Sequence, residues 1–157
     1  MHVFALNIVF ALIFALFSGG SLGGGLLLGF ALGYLTLWLT RPLYGDSKYF
    51  QRLPRVLHLL FYFTTELVRS NLLVVRAVLT PTHMSQPGIV AIPLTAKSDL
   101  EIFLVANLIS LTPGTLSLDV SPDRKLLFVH VMFLDDVAAV RQHIKEGIEH
   151  RILEVLR

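Results

Sequence analysis

With 157 residues, 54% of them hydrophobic and only 15% charged, the chain falls well short of the roughly 25% charged residues usual in soluble proteins. Residues 1–40 hold no Asp, Glu, Lys or Arg; residues 41–87 hold six basic and two acidic groups; residues 88–157 hold seven basic and nine acidic groups. The split excludes a single ordinary globular domain and long disorder, the basic excess beside apolar segments argues against nucleic-acid binding, and the absence of Cys excludes disulfides and thiolate sites.

Taken in order, residues 3–20 and 23–40 are two apolar segments joined by a Gly/Ser stretch from Ser18 to Gly25. Each is close to the roughly 20 residues a helix needs to cross a bilayer, so residues 1–40 are expected to form a transmembrane helical hairpin. A cleaved signal peptide ending near Ser21 is the rival, but it requires a positive n-region, and a second apolar span follows at once. Gly25, Gly29 and Gly33 recur every four residues on the second helix, as Ala11 and Ala15 do on the first, a spacing that lets backbones approach closely in lipid. Tyr34, Trp38, Tyr44 and Tyr49 suit an interfacial belt, and the basic loop 41–55 (Arg41, Lys48, Arg52, Arg55) belongs in the cytoplasm by the positive-inside rule.

Residues 56–80 read as a long helix with a polar stripe of His58, Tyr62, Thr65, Arg69 and Arg76, with Glu66 at its margin. An amphipathic helix at the membrane surface is favoured over a third span, which would export the rest of the chain. Residues 41–80 are thus a basic loop plus an amphipathic or membrane helix, and the breaker-rich segment 81–88 is expected to be a linker. Glu66 is a functional candidate because an unpaired ionisable group near membrane depth is costly; pairing with Arg69 one turn away is the structural alternative.

Residues 89–157 are expected to form a small α+β domain of order β-α-β-β-α. A strand runs over 89–94, and Ser98 and Glu101 form a capping box opening a helix to about Ser110. Strands follow over 116–120 and 126–134, the latter hydrophobic enough to be covered on both faces, with a type I turn at Ser121–Arg124 between them. Asp135 or Asp136 caps a last helix that buries Val137, Val140, Ile144, Ile148 and Ile152. A domain of about 70 residues is near the lower limit for an independent core, so help from the membrane part or a partner is expected.

No catalytic set, metal site or cofactor motif is legible. His143 and Glu146 share a helix at i and i+3 but read as a solvated face, and His130 in the third strand reads as a hydrogen-bonded core or interface histidine rather than an acid–base group.

Several stretches resemble the E subunit of the Mrp-type multisubunit cation/proton antiporters. They are Thr65–Leu72 (TELVRSNL), Pro87–Leu94 (PGIVAIPL), Lys97–Leu100 (KSDL) and above all Ala106–Leu116 (ANLISLTPGTL), with Asp119–Val120 and His130 following at the expected places. The resemblance covers nearly the whole chain and departs slightly at Leu108–Ile109–Ser110, where the family often has a polar-Ile-Thr sequence. It implies a non-catalytic, multi-pass subunit of the cell membrane with its soluble tail in the cytoplasm, needed for assembly and stability of a sodium or other monovalent cation/proton antiporter. Its expected partners are the other subunits and membrane lipid, and Asn107, Thr112, Pro113, Gly114, Thr115 and His130 become candidate interface residues. Two alternatives stay open: a direct part in the cation route through Glu66 or the glycine-rich hairpin, and a regulatory module whose tail binds a cytoplasmic ligand.

Overall fold

The computed structural model describes residues 2–43, 45, 47–80 and 85–157; Tyr44 and residues 81–84 of the expected linker, His83 among them, lie outside the described residues. The chain divides into two compact units, Met1–Pro54 and Arg55–Arg157.

In the first unit, α1 (His2–Phe17) and α2 (Leu22–Leu39) run antiparallel, since Gly25 faces Ala15, Gly29 faces Ala11 and Gly33 faces Asn7. Gly19, at φ +63°, takes the left-handed conformation that ends α1, and Ser21 caps α2 by accepting the Gly24 amide. The turn between them leaves α1 shorter than the expected segment, while α2 has the expected 18 residues. α1 has 16 residues, a rise of about 24 Å against the roughly 30 Å of a hydrocarbon core. α2 is the one helix among the described residues long and apolar enough to cross a membrane; Val3–Phe17 is apolar but shorter. Phe4, Tyr34, Tyr49 and Phe50 form an aromatic cluster with ring centroids 5.3–5.8 Å apart, so Tyr34 and Tyr49 of the expected belt pack together, whereas Trp38 is exposed.

A short 3-10 turn, Arg41–Leu43, precedes α3, which spans Tyr49–Leu79 as one helix. The sequence places the start of this helix near 56, but it begins earlier because the Ser47 hydroxyl accepts the Tyr49 amide, and Pro54 is absorbed in the second turn. Much of the expected basic loop is therefore helical.

The second unit carries a three-stranded antiparallel sheet in the order β1-β3-β2, with β1 Gly88–Pro93, β2 Thr115–Val120 and β3 Leu126–Val131. β3 pairs with β1 from Gly88↔Val131 to Pro93↔Leu126 and with β2 through a bulge between Ser117 and Asp119. α4 (Asp99–Leu111) and a C-terminal helical run cover one face. The run comprises α5 (Val137–Gln142), a π-helical stretch (His143–Glu149) and α6 (His150–Leu156). Val90, Ile92, Val105, Ile109, Leu127, Val129, Ile144, Ile148 and Ile152 make the core.

Three expectations for this unit need correction. β3 is buried on one face only, with Leu127, Val129 and Val131 inside and Leu126, Phe128 and His130 half-buried, because no described element lies over the other side. Val137 is exposed, standing next to the Asp136 cap on the first turn of α5. The compact units meet inside α3 rather than at 81–88, because α3 from Arg55 onwards packs on the C-terminal elements: Leu59 and Tyr62 join the core, and Arg55 Nη1 donates to the Glu154 carbonyl. Nor is Ser85–Gln86 free linker; Ser85 Oγ donates to the Met132 carbonyl and Gln86 bridges Phe133.

Two buried carboxylates hold the loop between β1 and α4. Glu149 Oε1 accepts the amides of Thr95 and Ala96, and Glu101 Oε2 accepts those of Lys97 and Ser98, completing the capping box. The Arg157 guanidinium donating to Glu101, joined by the two backbone amides, lowers the Glu101 carboxyl to about 2.

Candidate functional site: a buried carboxylate beside the TPGT turn

The face that α3 turns to the domain is Leu59, Tyr62, Glu66, Ser70 and Leu73, a stripe at three- and four-residue spacing rotated from the one centred on Arg69. Tyr62 lies under the Arg151 guanidinium, 3.9 Å from its ring centroid, and against Gly147 of the π-helical stretch. One turn on, Glu66 is the only buried residue of α3 and 9% exposed. Its partner is His143 rather than Arg69: Nε2 of His143 stands 3.1 Å from Oε1. The other carboxylate oxygen, Oε2, is buried with no donor among the described residues.

Glu66 opens onto a cavity of about 140 Å³ that Thr112, Pro113, Gly114 and Thr115 also line. The turn is locked from within. Thr115 Oγ1 donates to the Ile109 carbonyl at 2.7 Å, Thr112 Oγ1 donates to the Leu108 carbonyl at 3.0 Å, and Gly114, at φ +89°, supplies its carbonyl to the Met132 amide. Folding thus brings Glu66, His143 and the Thr112–Thr115 turn together.

The other candidates lie elsewhere. Asn107 is exposed on α4, its amide donating to the Phe103 carbonyl, within a stripe of exposed Leu100, Phe103 and Leu111. His130 sits on the open face of the sheet, between Ile89 and Leu116 on the neighbouring strands. Ala11, Ala15, Gly25, Gly29 and Gly33 are all buried at the α1–α2 contact, where a Cβ at Gly29 would come within 2.9 Å of the Ala11 Cα. Asn7, also fully buried there, donates from Nδ2 to the Tyr49 hydroxyl at 2.6 Å.

The Glu66–His143 pair escapes sequence reasoning because the partners lie 77 residues apart. The faint signal is position: His143 adjoins Ile144 on the helical run that the apolar spacing already turns inward. Among the described residues, no group of three or more His, Asp or Glu side chains is placed to hold a metal ion.

Comparison with known proteins agrees with this architecture. A family described as Na+/H+ ion antiporter subunit matches residues 7–155. A Na+/H+ antiporter E subunit from Alkalihalophilus pseudofirmus is 40% identical over 69% of both chains, and one from Bacillus subtilis is 37% identical over 78% of both. A chain of the Mrp complex from a Dietzia species superposes with a TM-score of 0.51 at 28% identity, covering 66% of this chain and 96% of that one. A chain of an archaeal membrane-bound sulfane sulfur reductase superposes with a TM-score of 0.58 at 25% identity over 96% of each. The chain belongs to the E-subunit family of multisubunit Na+/H+ antiporters.

Proposed function

We propose that this chain is a non-catalytic subunit that holds a Na+/H+ antiporter complex together, with its hairpin in the cell membrane and its C-terminal domain in the cytoplasm. The observation that carries the reading is the apolar surface the C-terminal unit leaves open. Ile89, Leu116 and Leu118 on the free sheet face are 48–64% exposed, and Leu100, Phe103 and Leu111 along α4 are 56–61% exposed. Contiguous patches of this kind mark contact surfaces. The relatives named as antiporter subunits and the neighbour taken from an Mrp complex supply the partners, the other subunits of such an assembly. Arg41, Lys48, Arg52 and Arg55 support the cytoplasmic placement, because basic residues flanking a span stay on that side.

The test is extraction of the tagged chain from its own membranes in mild detergent, with identification of what travels with it. Several large, many-spanning proteins in one assembly are expected; a chain that runs alone contradicts the reading. The competing role, a direct part in the cation route, draws on the buried Glu66 Oε2, which has no donor among the described residues. Glu66→Gln that abolishes exchange in an assembly of unchanged composition and stability favours that role.

A further inference from the structure

Oε2 of Glu66 is a buried acceptor that no described residue of this chain supplies with a donor. Oε1 is engaged by His143, and the threonine protons nearest the cavity are spent on the Leu108 and Ile109 carbonyls. A carboxylate oxygen withdrawn from water without a donor is costly, and buried ions are normally paired. The space beside it is about 140 Å³, many times the 10–15 Å³ that one water needs by the same measure. Its walls are mostly hydrocarbon, from Leu73, Val131, Phe133 and Ile148, with the Ser70 hydroxyl one helical turn from Glu66.

A hard monovalent ion requires several oxygen ligands, and beside Glu66 this mostly hydrocarbon wall offers the Ser70, Thr112 and Thr115 hydroxyls, the last two held by the Leu108 and Ile109 carbonyls. A guanidinium fork wants both carboxylate oxygens, and His143 already holds one. A lysine meets every feature, its stem lying along the apolar walls and its compact ammonium closing on the vacant oxygen. We infer that this cavity is a socket for a lysine side chain of another subunit of the antiporter complex, with Glu66 as its counter-ion and the Thr112–Thr115 turn as its rim. The inference rests on the subunit reading and adds to it the residue and the chemistry of one contact.

The test uses the assembled complex, purified in mild detergent and treated with a water-soluble carbodiimide. The reagent adds to the Glu66 carboxylate as an O-acylisourea. A lysine amine in contact attacks the acyl carbon, the C–O bond to the reagent breaks, a urea leaves, and the amine gives up a proton as the amide forms. A peptide joining Glu66 to a lysine of another subunit is expected, and it disappears in Glu66→Gln. Release of the chain from the complex should be about thirtyfold faster or more in Glu66→Gln, as for loss of a buried charge partner. Ser70→Leu, which narrows the socket without touching the Glu66–His143 pair, should also speed release, and it keeps the test decisive should Glu66→Gln fold poorly. Wild-type release in both variants with no adduct at Glu66 overturns the socket while leaving the subunit reading intact. Absence of adduct with reduced sodium binding in an intact Glu66→Gln complex also overturns it, in favour of a cation site. A wild-type chain that co-purifies with no other subunit overturns both.

Discussion

At the residue scale, stability rests on carboxylates placed to satisfy backbone amides. Glu149 is 1% exposed and accepts two of them. Glu149→Ala leaves the Ala96 amide buried and empty, at about 1–3 kcal/mol, and takes the acceptor from the part-buried Thr95 amide. We expect the melting temperature of the full chain in detergent to fall by several degrees, whereas an exposed change such as Glu154→Ala should leave it within about a degree. Glu101 gives a pH signature. Its folded carboxyl titrates at about 2, below the ordinary 4.5, so its contribution is complete above pH 4.5 and is lost as the pH falls towards 2. The stability gap between wild type and Glu101→Gln should therefore be constant above about pH 4.5 and close between there and about pH 2; a gap that persists unchanged to pH 2 contradicts the assignment. Of these groups the sequence makes Glu101 legible, through Ser98 three residues before it. Glu149 and Glu66 are illegible, because the partners of a buried carboxylate are chosen by tertiary contact and not by spacing along the chain.

At the element scale, the glycine stripe sets how closely α1 and α2 approach. A Cβ on Gly29 would stand 2.9 Å from the Ala11 Cα, whereas one on Gly23 meets nothing within 4 Å. Gly29→Ala is expected to loosen the pair and lower thermal stability in detergent, while Gly23→Ala, relieved of glycine's helical cost of about 1 kcal/mol, should be neutral or stabilising. Equal effects of the two substitutions would remove the stripe from the account. Gly147→Ala drives a methyl group against the ring of Tyr62, which Arg151 pins from above, and should destabilise by about 1–3 kcal/mol. The four-residue spacing of small side chains makes the hairpin contact readable, as the turn residues and alternation make the strands readable. The extent and facing of α3 are not readable in this way. Its start depends on a cap at Ser47, and its inward face depends on where Tyr62 and Glu66 find partners. The uncovered second face of β3 is equally hidden, since a hydrophobic run reads the same whether a helix of this chain or another protein covers it.

At the scale of the whole molecule, an apolar hairpin and a small domain with uncovered hydrophobic faces make a chain suited to being surrounded. Because the sequence has no Cys, single cysteines report cleanly on sidedness. Ser47→Cys and Ser121→Cys should react with a membrane-impermeant maleimide only after cells are opened; labelling of both in intact cells contradicts the cytoplasmic placement. The central claim, that this subunit holds the complex together rather than carrying the ions, is tested most directly by removing it. Membranes from cells lacking only this chain should yield, on native gels, smaller partial assemblies of the remaining subunits, with exchange lost in proportion. A full-size complex of the remaining subunits that has lost Na+/H+ exchange would contradict the account and move the chain into the transport path.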